Sequence, residues 1–597
     1  MSDIPSPTPS PVAGTPVAQP AARPPRGILR TLFLIAFYGL LTIFVGAVLV
    51  AWFPIEGAVA GIGAIPYLIA QSSFVALLGT TVLWLLAFSR LSGGVRAAGI
   101  ALIVIPVVAF VASVRDLEFT ADMQIQPVFR WQKLQTEVVD EYRRQTAKPA
   151  GETVAVTEPV AAIVAPEDMP AYRGVHRDGI VIGPAVRENW REVPPKELWK
   201  HPVGEGYSSF VVVGDRLVTM EQRTEGEAVV CYSARSGGEL WVHQTKALFD
   251  EAQGGPGPRA TPEIDGEHVY ALGATGELHC LKLGSGEVVW SKNVLGMTGV
   301  QNAQWGMTSS PLVVDNQLVV NIGGANGNGL LSFDKLSGNL LWKTSGAGGT
   351  GSSGAAASAA GEESKKTADA GEDVAAAGSA MAGYSSPQVT ELDGVRQILN
   401  FDGTALRGHD IQDGHVLWTY DFRNPPGVNV AQPVQLKDGS LIVSASYGLG
   451  TVRLKMTQVD GKWTVTSVWP KPSYDLKAKM ASMILHDGYL YGLDEGILVC
   501  FDPETGKRTW KGGRYGHGQL LATGDRIVVL SEKGEVILIH PNPKKLEELA
   551  RFQALPADVK TWNPPAMSRG VLYVRNHHWM AAYDIAAEAS RETALNR

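Results

Sequence analysis

The feature that most restricts this chain is a recurring Gly-x-x-x-Trp: Gly237 with Trp241, Gly286 with Trp290, Gly338 with Trp342, Gly414 with Trp418 and Gly506 with Trp510. A repeat that cannot bury its own apolar face folds only by stacking on its neighbours, so the period is read before any local element. With Trp199 and Trp469 added, successive spacings are 42, 49, 52, 76, 51 and 41 residues, which suits one four-stranded blade of a β-propeller. In the first copy the short alternating runs SSFVVVG, RLVTMEQ, AVVCYSA and ELWVHQ follow one another between Gly-Asp, Glu-Gly and Ser-Gly-Gly turn signals. The 76-residue interval holds a Gly/Ala/Ser stretch, 345–383, with almost no large apolar residue, and reads as a disordered insertion in one blade.

A seventh copy, GQLLATG, RIVVLSE, EVILIHP and LEELARFQAL, carries Phe552 in place of the tryptophan. The last stretch, 568–585, supplies strands but no closing one. That strand is available in ELWKHPV around Trp199, and joining the two ends in one blade closes the ring without an exposed edge. The expectation is an all-β, eight-bladed propeller over 171–587, followed by a short tail, 588–597. A large aromatic at one place per blade fills the gap between neighbouring sheets. Cys231, Cys280 and Cys500 each lie six residues before a repeat glycine, where other copies have Ser332 and Gly408. They read as small apolar side chains, since no CxxC or CxxCH spacing is present.

With 52 Lys and Arg against 59 Asp and Glu, there is no basic excess to neutralise phosphates, which excludes a nucleic-acid partner. Residues 1–30 are rich in Pro, Ala and Ser, end in Arg23, Arg26 and Arg30, and read as a disordered cytoplasmic tail. Three apolar stretches follow, 31–53, 67–88 and 97–114, of 23, 22 and 18 residues. They make 31–114 an α-helical transmembrane region, the third stretch falling short of the ~20 residues a bilayer needs. Arg90 and Arg96 place the second loop in the cytoplasm, and three spans then put everything beyond 114 outside; two spans would reverse the side. Residues 115–170 read as a juxtamembrane helix and an Ala/Pro/Val linker.

The repeats resemble those of the PQQ-type propeller superfamily, which takes in quinoprotein alcohol and glucose dehydrogenases and the BamB-type outer-membrane assembly lipoproteins. The resemblance covers about 172–585. YRGVHRDG at 172–179 and LWKHPVGEGYSSF at 198–210 also look like bacterial membrane-anchored PQQ-like repeat proteins. For an enzyme, the resemblance implies PQQ clamped between a tryptophan and a disulfide of adjacent cysteines, beside a calcium ion on carboxylate and amide oxygens. This chain has no adjacent cysteines and no matched set of Glu, Asn and Asp at the blade starts. No catalytic or metal-binding residue is therefore assigned, and PQQ with calcium stays open as a cofactor whose usual binding residues are not found.

A propeller channel is lined by the beginnings of its innermost strands. Blade by blade these are Tyr207 with Ser208, Arg259, the run 301–305 ending in Trp305 with Ser309, Tyr384 with Ser385, Asn429, Lys479, His517, and Trp562 with Asn563. Aromatics with an arginine, a lysine and a histidine suit an anionic or planar ligand. His577 and His578 read as neighbours in one strand, pointing to opposite faces. The leading expectation is a non-catalytic scaffold for protein partners in the cell envelope, multi-pass in the bacterial inner membrane with the propeller on the periplasmic side. The alternative is a PQQ- and calcium-dependent sugar or alcohol dehydrogenase passing electrons to the membrane.

Overall fold

The computed structural model describes residues 26–52, 65–119, 125–146, 164–323, 329–344, 382–424 and 426–587; the tail at 588–597 and nearly all of the insertion expected at 345–383 lie outside them. The chain forms two compact units, Met1–Trp131 and Gln132–Arg597.

In the first unit, α1 (Arg26–Trp52), α2 (Ile65–Ala87) and α3 (Gly93–Ser113) are each long and apolar enough to cross a bilayer. The third is longer than its apolar run because Ser92, in extended conformation, starts it ahead of Gly93 and adds a turn. Phe33–Phe88 and Phe44–Phe74 ring contacts, at 5.4 and 5.8 Å, join α1 to the neighbourhood of α2. A two-stranded hairpin, Val114–Phe119 against Ile125–Phe129, follows α3 directly.

The second unit is an eight-bladed propeller of antiparallel sheets. The first blade holds Val211–Val213, Arg216–Arg223, Gly226–Ser233 and Glu239–Gln244 from the axis outward. The eighth is closed as the sequence expects: Lys196–Pro202 pairs antiparallel with Trp579–Asp584, with Ala582 opposite Trp199. Helix α4 (Gln135–Thr146) lies on this seam. Its Gln135 Nε2 donates to the carbonyls of Val203 at 2.9 Å and His578 at 2.7 Å, and Tyr142 stacks on His201 at 5.0 Å.

The repeated tryptophans seal the gaps between blades, and the repeat glycines exist to receive them. A Cβ on Gly237 would lie 2.7 Å from Trp199 of the preceding blade, one on Gly286 2.5 Å from Trp241, and one on Gly338 2.6 Å from Trp290. Gly414 faces Trp342 and Gly506 faces Trp469 in the same way. All five glycines have φ between +69° and +73°, so turn and contact both call for glycine. The cysteine positions are also explained. Cys231, Cys280, Ser332, Gly408 and Cys500 each pair across the strand with the tryptophan of their own blade. Where the position is cysteine, the indole N–H donates to a carbonyl of the next blade, Leu283, Lys335 or Asn542. Where it is serine or glycine, Gln317 or Gln397 of the same blade takes the indole N–H instead, at 2.7 and 2.6 Å, and leaves less room.

Two expectations are corrected. In the seventh blade the residue in tryptophan register is Ala550, opposite Leu538, not Phe552. The gap it leaves is filled by Trp190, from the segment before the first repeat, whose ring meets Phe552 edge-on at 5.4 Å; Phe552 in turn meets Tyr583 at 4.9 Å. His577 and His578 are not in a strand but in the turn between Val571–Arg575 and Trp579–Asp584. Asn576 Oδ1 builds that turn by accepting the N–H groups of His578 and Trp579, with no glycine or proline to announce it.

Candidate functional site

Two residues before the innermost strand of each of the first six blades, a polar residue ties one blade to the next. The N–H of Ser209 donates to Thr261 Oγ1, that of Thr261 to Ser310 Oγ, Ser310 to Ser386 Oγ, Ser386 to Gln432 Oε1 and Gln432 to Ser482 Oγ, all at 2.9–3.0 Å. Asn563 Nδ2, from the eighth blade, donates to the Ser208 carbonyl at 2.9 Å. The recurring Ser-Ser and Thr-Ser-Ser-Pro segments are therefore a hydrogen-bonded belt around the axis, satisfying backbone groups that crowding would otherwise leave unmade.

Beyond the belt the axis is plugged. The segment 173–181 enters from the end where the inner strands finish, with Ile180 and Val181 paired parallel to Ala522 and Thr523. Arg177 and Arg173 are 3% and 2% exposed and hold the left-handed conformation, φ +56° and +62°. Arg177 forms a 2.6 Å ion pair with Glu263 and donates to the carbonyls of Pro311 and Pro387. Arg173 donates to those of Asp178 and Met483 at 2.9 and 3.0 Å. Arg173 also reaches the carbonyl of Leu520 in the seventh blade at 3.4 Å, so the two guanidiniums link five blades. A cavity of about 460 Å³ opens beside them, lined by Arg173, His176, Gln388, Thr390, Gln432 and Gln435 among others. Sequence reasoning missed both arginines as axial groups, although an Arg-Gly-x-x-Arg-x-Gly run outside the strand pattern is a visible signal.

At the opposite end the belt opens into a mouth, and most of the expected residues meet there. Tyr207 stacks on Trp562 at 5.2 Å, lies 4.9 Å from His577, and donates its hydroxyl to the Gly254 carbonyl at 2.5 Å. The Arg259 guanidinium sits between Tyr207 and Phe249, 5.5 and 4.5 Å from their ring centres, and donates to the carbonyls of Gly255 and Gly257. Burial pulls its pKa down, against nearby Tyr207 and Glu251. Trp305 and Tyr384 meet edge-on at 5.4 Å, and burial pushes the Tyr384 phenol up to about 12. Lys560 lies 5.3 Å over Trp562. His517 is joined to this group through Glu532, which accepts its N–H at 3.0 Å and the Trp562 indole at 2.8 Å. Lys479 stands apart, acting on Glu495. Asn429 is wholly structural, buried and bonded to the carbonyls of Asp402 and Phe422. Phe249, Glu251 and His577 were missed because they belong to loops rather than to the position before a strand. Burial holds His577 well below the ordinary histidine range and His578 at about 4, so neither adds charge at neutral pH.

The described carboxylates at the mouth do not converge on one point as PQQ with calcium would need: Glu251 accepts the N–H groups of Gln253 and Gly254, and Glu532 those of His517 and the Trp562 indole. Calcium needs six or more convergent oxygens. Among the described residues, the only trio of His, Cys, Asp or Glu whose ligand atoms lie within 4.8 Å of one another is Asp410, Asp413 and His415, in an outer turn of the fourth blade.

Residues 225–512 match the family described as outer membrane protein assembly factor BamB. No curated protein matches the chain. Among solved structures, BamB from Moraxella catarrhalis is similar at 14% identity, covering 65% of this chain and 97% of that one, with a TM-score of 0.41. A quinohemoprotein alcohol dehydrogenase from Comamonas testosteroni aligns at 12% identity over 73% of this chain and 84% of its own, TM-score 0.47. The quinohemoprotein alcohol dehydrogenase ADHIIG from Pseudomonas putida HK5 aligns at 12% over 70% and 80%, TM-score 0.49. The tryptophan-docked blades and the closing strand at Trp199 make the repeat region of this chain an eight-bladed β-propeller, and its residues 225–512 are similar to the BamB-type, PQQ-like repeat family.

Proposed function

We propose that this protein is a membrane-anchored, non-catalytic binding module, with its propeller outside the cytoplasm, that holds a protein partner of the cell envelope at the mouth. The observation that carries this reading is the state of Arg259: a guanidinium between two aromatic rings, donating to carbonyls rather than to a carboxylate, at an opening lined by Tyr207, Trp305, Tyr384 and Trp562. Arginine among aromatics is the composition that anchors protein interfaces, and a carboxylate from an acidic partner segment would complete its bonding. The match to an assembly-factor family supports a scaffold role, and the three apolar helices with Arg90 and Arg96 in one loop support an inner-membrane anchor.

The test is cross-linking in intact cells followed by purification of the full chain and of its Arg259→Ala and Trp562→Ala variants. A partner held by the parent chain should be lost from both variants, with about 2 kcal/mol or more at such an anchor, roughly thirtyfold in affinity. Identical capture by all three chains would refute the mouth as the site. Titration with PQQ and calcium is the complementary experiment: stoichiometric binding with turnover of a sugar or alcohol would replace this reading with the dehydrogenase one.

A further inference from the structure

We propose that the paired strands Val114–Phe119 and Ile125–Phe129, with Trp131 beyond them, form an interfacial anchor lying in the lipid headgroup layer of the leaflet where α3 ends. The proposal rests on α3 spanning the bilayer. Its 21 residues, at ~1.5 Å each, match a hydrocarbon thickness of ~30 Å, so Ser113 reaches the edge of the apolar layer. The hairpin cannot swing freely from that point. Val114 N–H donates to the Phe110 carbonyl and Arg130 N–H to that of Ser113 at 2.9 Å, so both strands are tied to the last turn of the helix.

A ladder of rings continues the attachment. Phe110 of α3 meets Phe129 edge-on at 6.2 Å, and Phe129 stacks on Trp131 at 4.6 Å with the planes 5° apart. The indole is thereby fixed near the level of the helix end, yet it is 70% exposed, and Leu117 and Ile125 are each 41% exposed. A lone two-stranded hairpin is marginal in water and gains nothing from an uncovered apolar side. Its unpaired strand edges exclude it from hydrocarbon. The headgroup layer satisfies both limits: it wets the edges, accepts the indole, and offers anionic phosphates to the exposed Arg115 and Arg130.

The experiment is nitroxide labelling of the full chain in phosphatidylcholine–phosphatidylglycerol bilayers. The three native cysteines are fully buried, so the label goes to the introduced one. Trp131→Cys and Leu117→Cys should collide with molecular oxygen but be several-fold less accessible to a nickel chelate than Val459→Cys, a propeller position 70% exposed. Chelate access at 131 equal to that at 459 overturns the anchor, and so does shielding from both reagents, which would mean a protein cover. Ile105→Cys, at a 65% exposed position of α3, separates the two readings. Chelate access there as well would overturn the spanning helix and the hairpin together, whereas access at 131 alone overturns only the hairpin.

Discussion

Replacing Gly414 by alanine isolates the contact that holds neighbouring blades together. Gly414 has φ +73°, and a Cβ there would fall well inside 3 Å of the Trp342 ring. Gly394, in an inner turn of the same blade, has φ +76° and nothing within 4 Å of a Cβ. Both substitutions carry the left-handed backbone cost, roughly 1–2 kcal/mol. Only Gly414→Ala adds overpacking against a ring already 9% exposed and bonded to Gln317, another ~1–3 kcal/mol. Guanidinium unfolding of the full chain in detergent should therefore place Gly394→Ala about 1–2 kcal/mol below the parent and Gly414→Ala about 2–5. In a Trp342→Ala background the ring is gone, and Gly414→Ala should cost no more than Gly394→Ala. Equal costs at the two glycines in the parent chain, or a Gly414 cost indifferent to Trp342, would refute the idea that the repeat glycine is there to receive the tryptophan.

Two further outcomes follow from groups away from the axis. Gln135→Ala removes both side-chain bonds that pin α4 to the closing blade, a loss of about 1–3 kcal/mol for that contact; amide exchange across 135–146 should accelerate while 579–584 stays protected, and unchanged exchange would mean that Tyr142 on His201, Asp140 on Thr224 and Arg143 on Glu239 hold the helix without it. Glu227 is buried between the first two blades, and burial pushes its carboxyl up to about 7 from an ordinary 4.5. Between those values the unfolded chain has released a proton that the native chain keeps, so stability should fall as pH rises from about 4.5 to about 7, by ~3 kcal/mol in all. Glu227→Gln, which can still accept the Ala274 N–H, should flatten that slope in unfolding titrations at pH 5 and 8; a persistent slope would assign it to other groups.

How much of this was legible depended on whether the constraint was local. Gly-x-x-x-Trp is written within five residues, because the turn glycine and the packing tryptophan belong to one β-hairpin, and the contact repeats from blade to blade. The closing strand was legible for a similar reason, since ELWKHPV carries the outer-strand pattern without the three strands that should precede it. The seventh gap was not. Its filler, Trp190, lies 360 residues before the Ala550 whose absent ring it replaces, and no spacing within the repeat points to it. Phe552 was the nearest aromatic in the copy and the wrong one, because register depends on a bulge after Leu538 that leaves no mark in composition. At the mouth, Tyr207, Arg259 and Trp562 were found because they occupy one register position, four residues before an inner strand. Their neighbours Phe249 and His577 were not, since loops have no register.

The belt and the plug also bear on where a partner can act. From the plugged end, anything reaching the axis must displace two buried guanidiniums, and Arg177 alone would leave Glu263 as an unpaired carboxylate that is 8% exposed. Breaking such a pair costs several kcal/mol, ~3–5 when one partner is removed. From the mouth, the first groups met are the partly exposed rings of Trp305 and Trp562. The two ends thus differ by more in energy than a typical surface contact supplies, and that asymmetry favours the mouth whatever the chemistry of the partner.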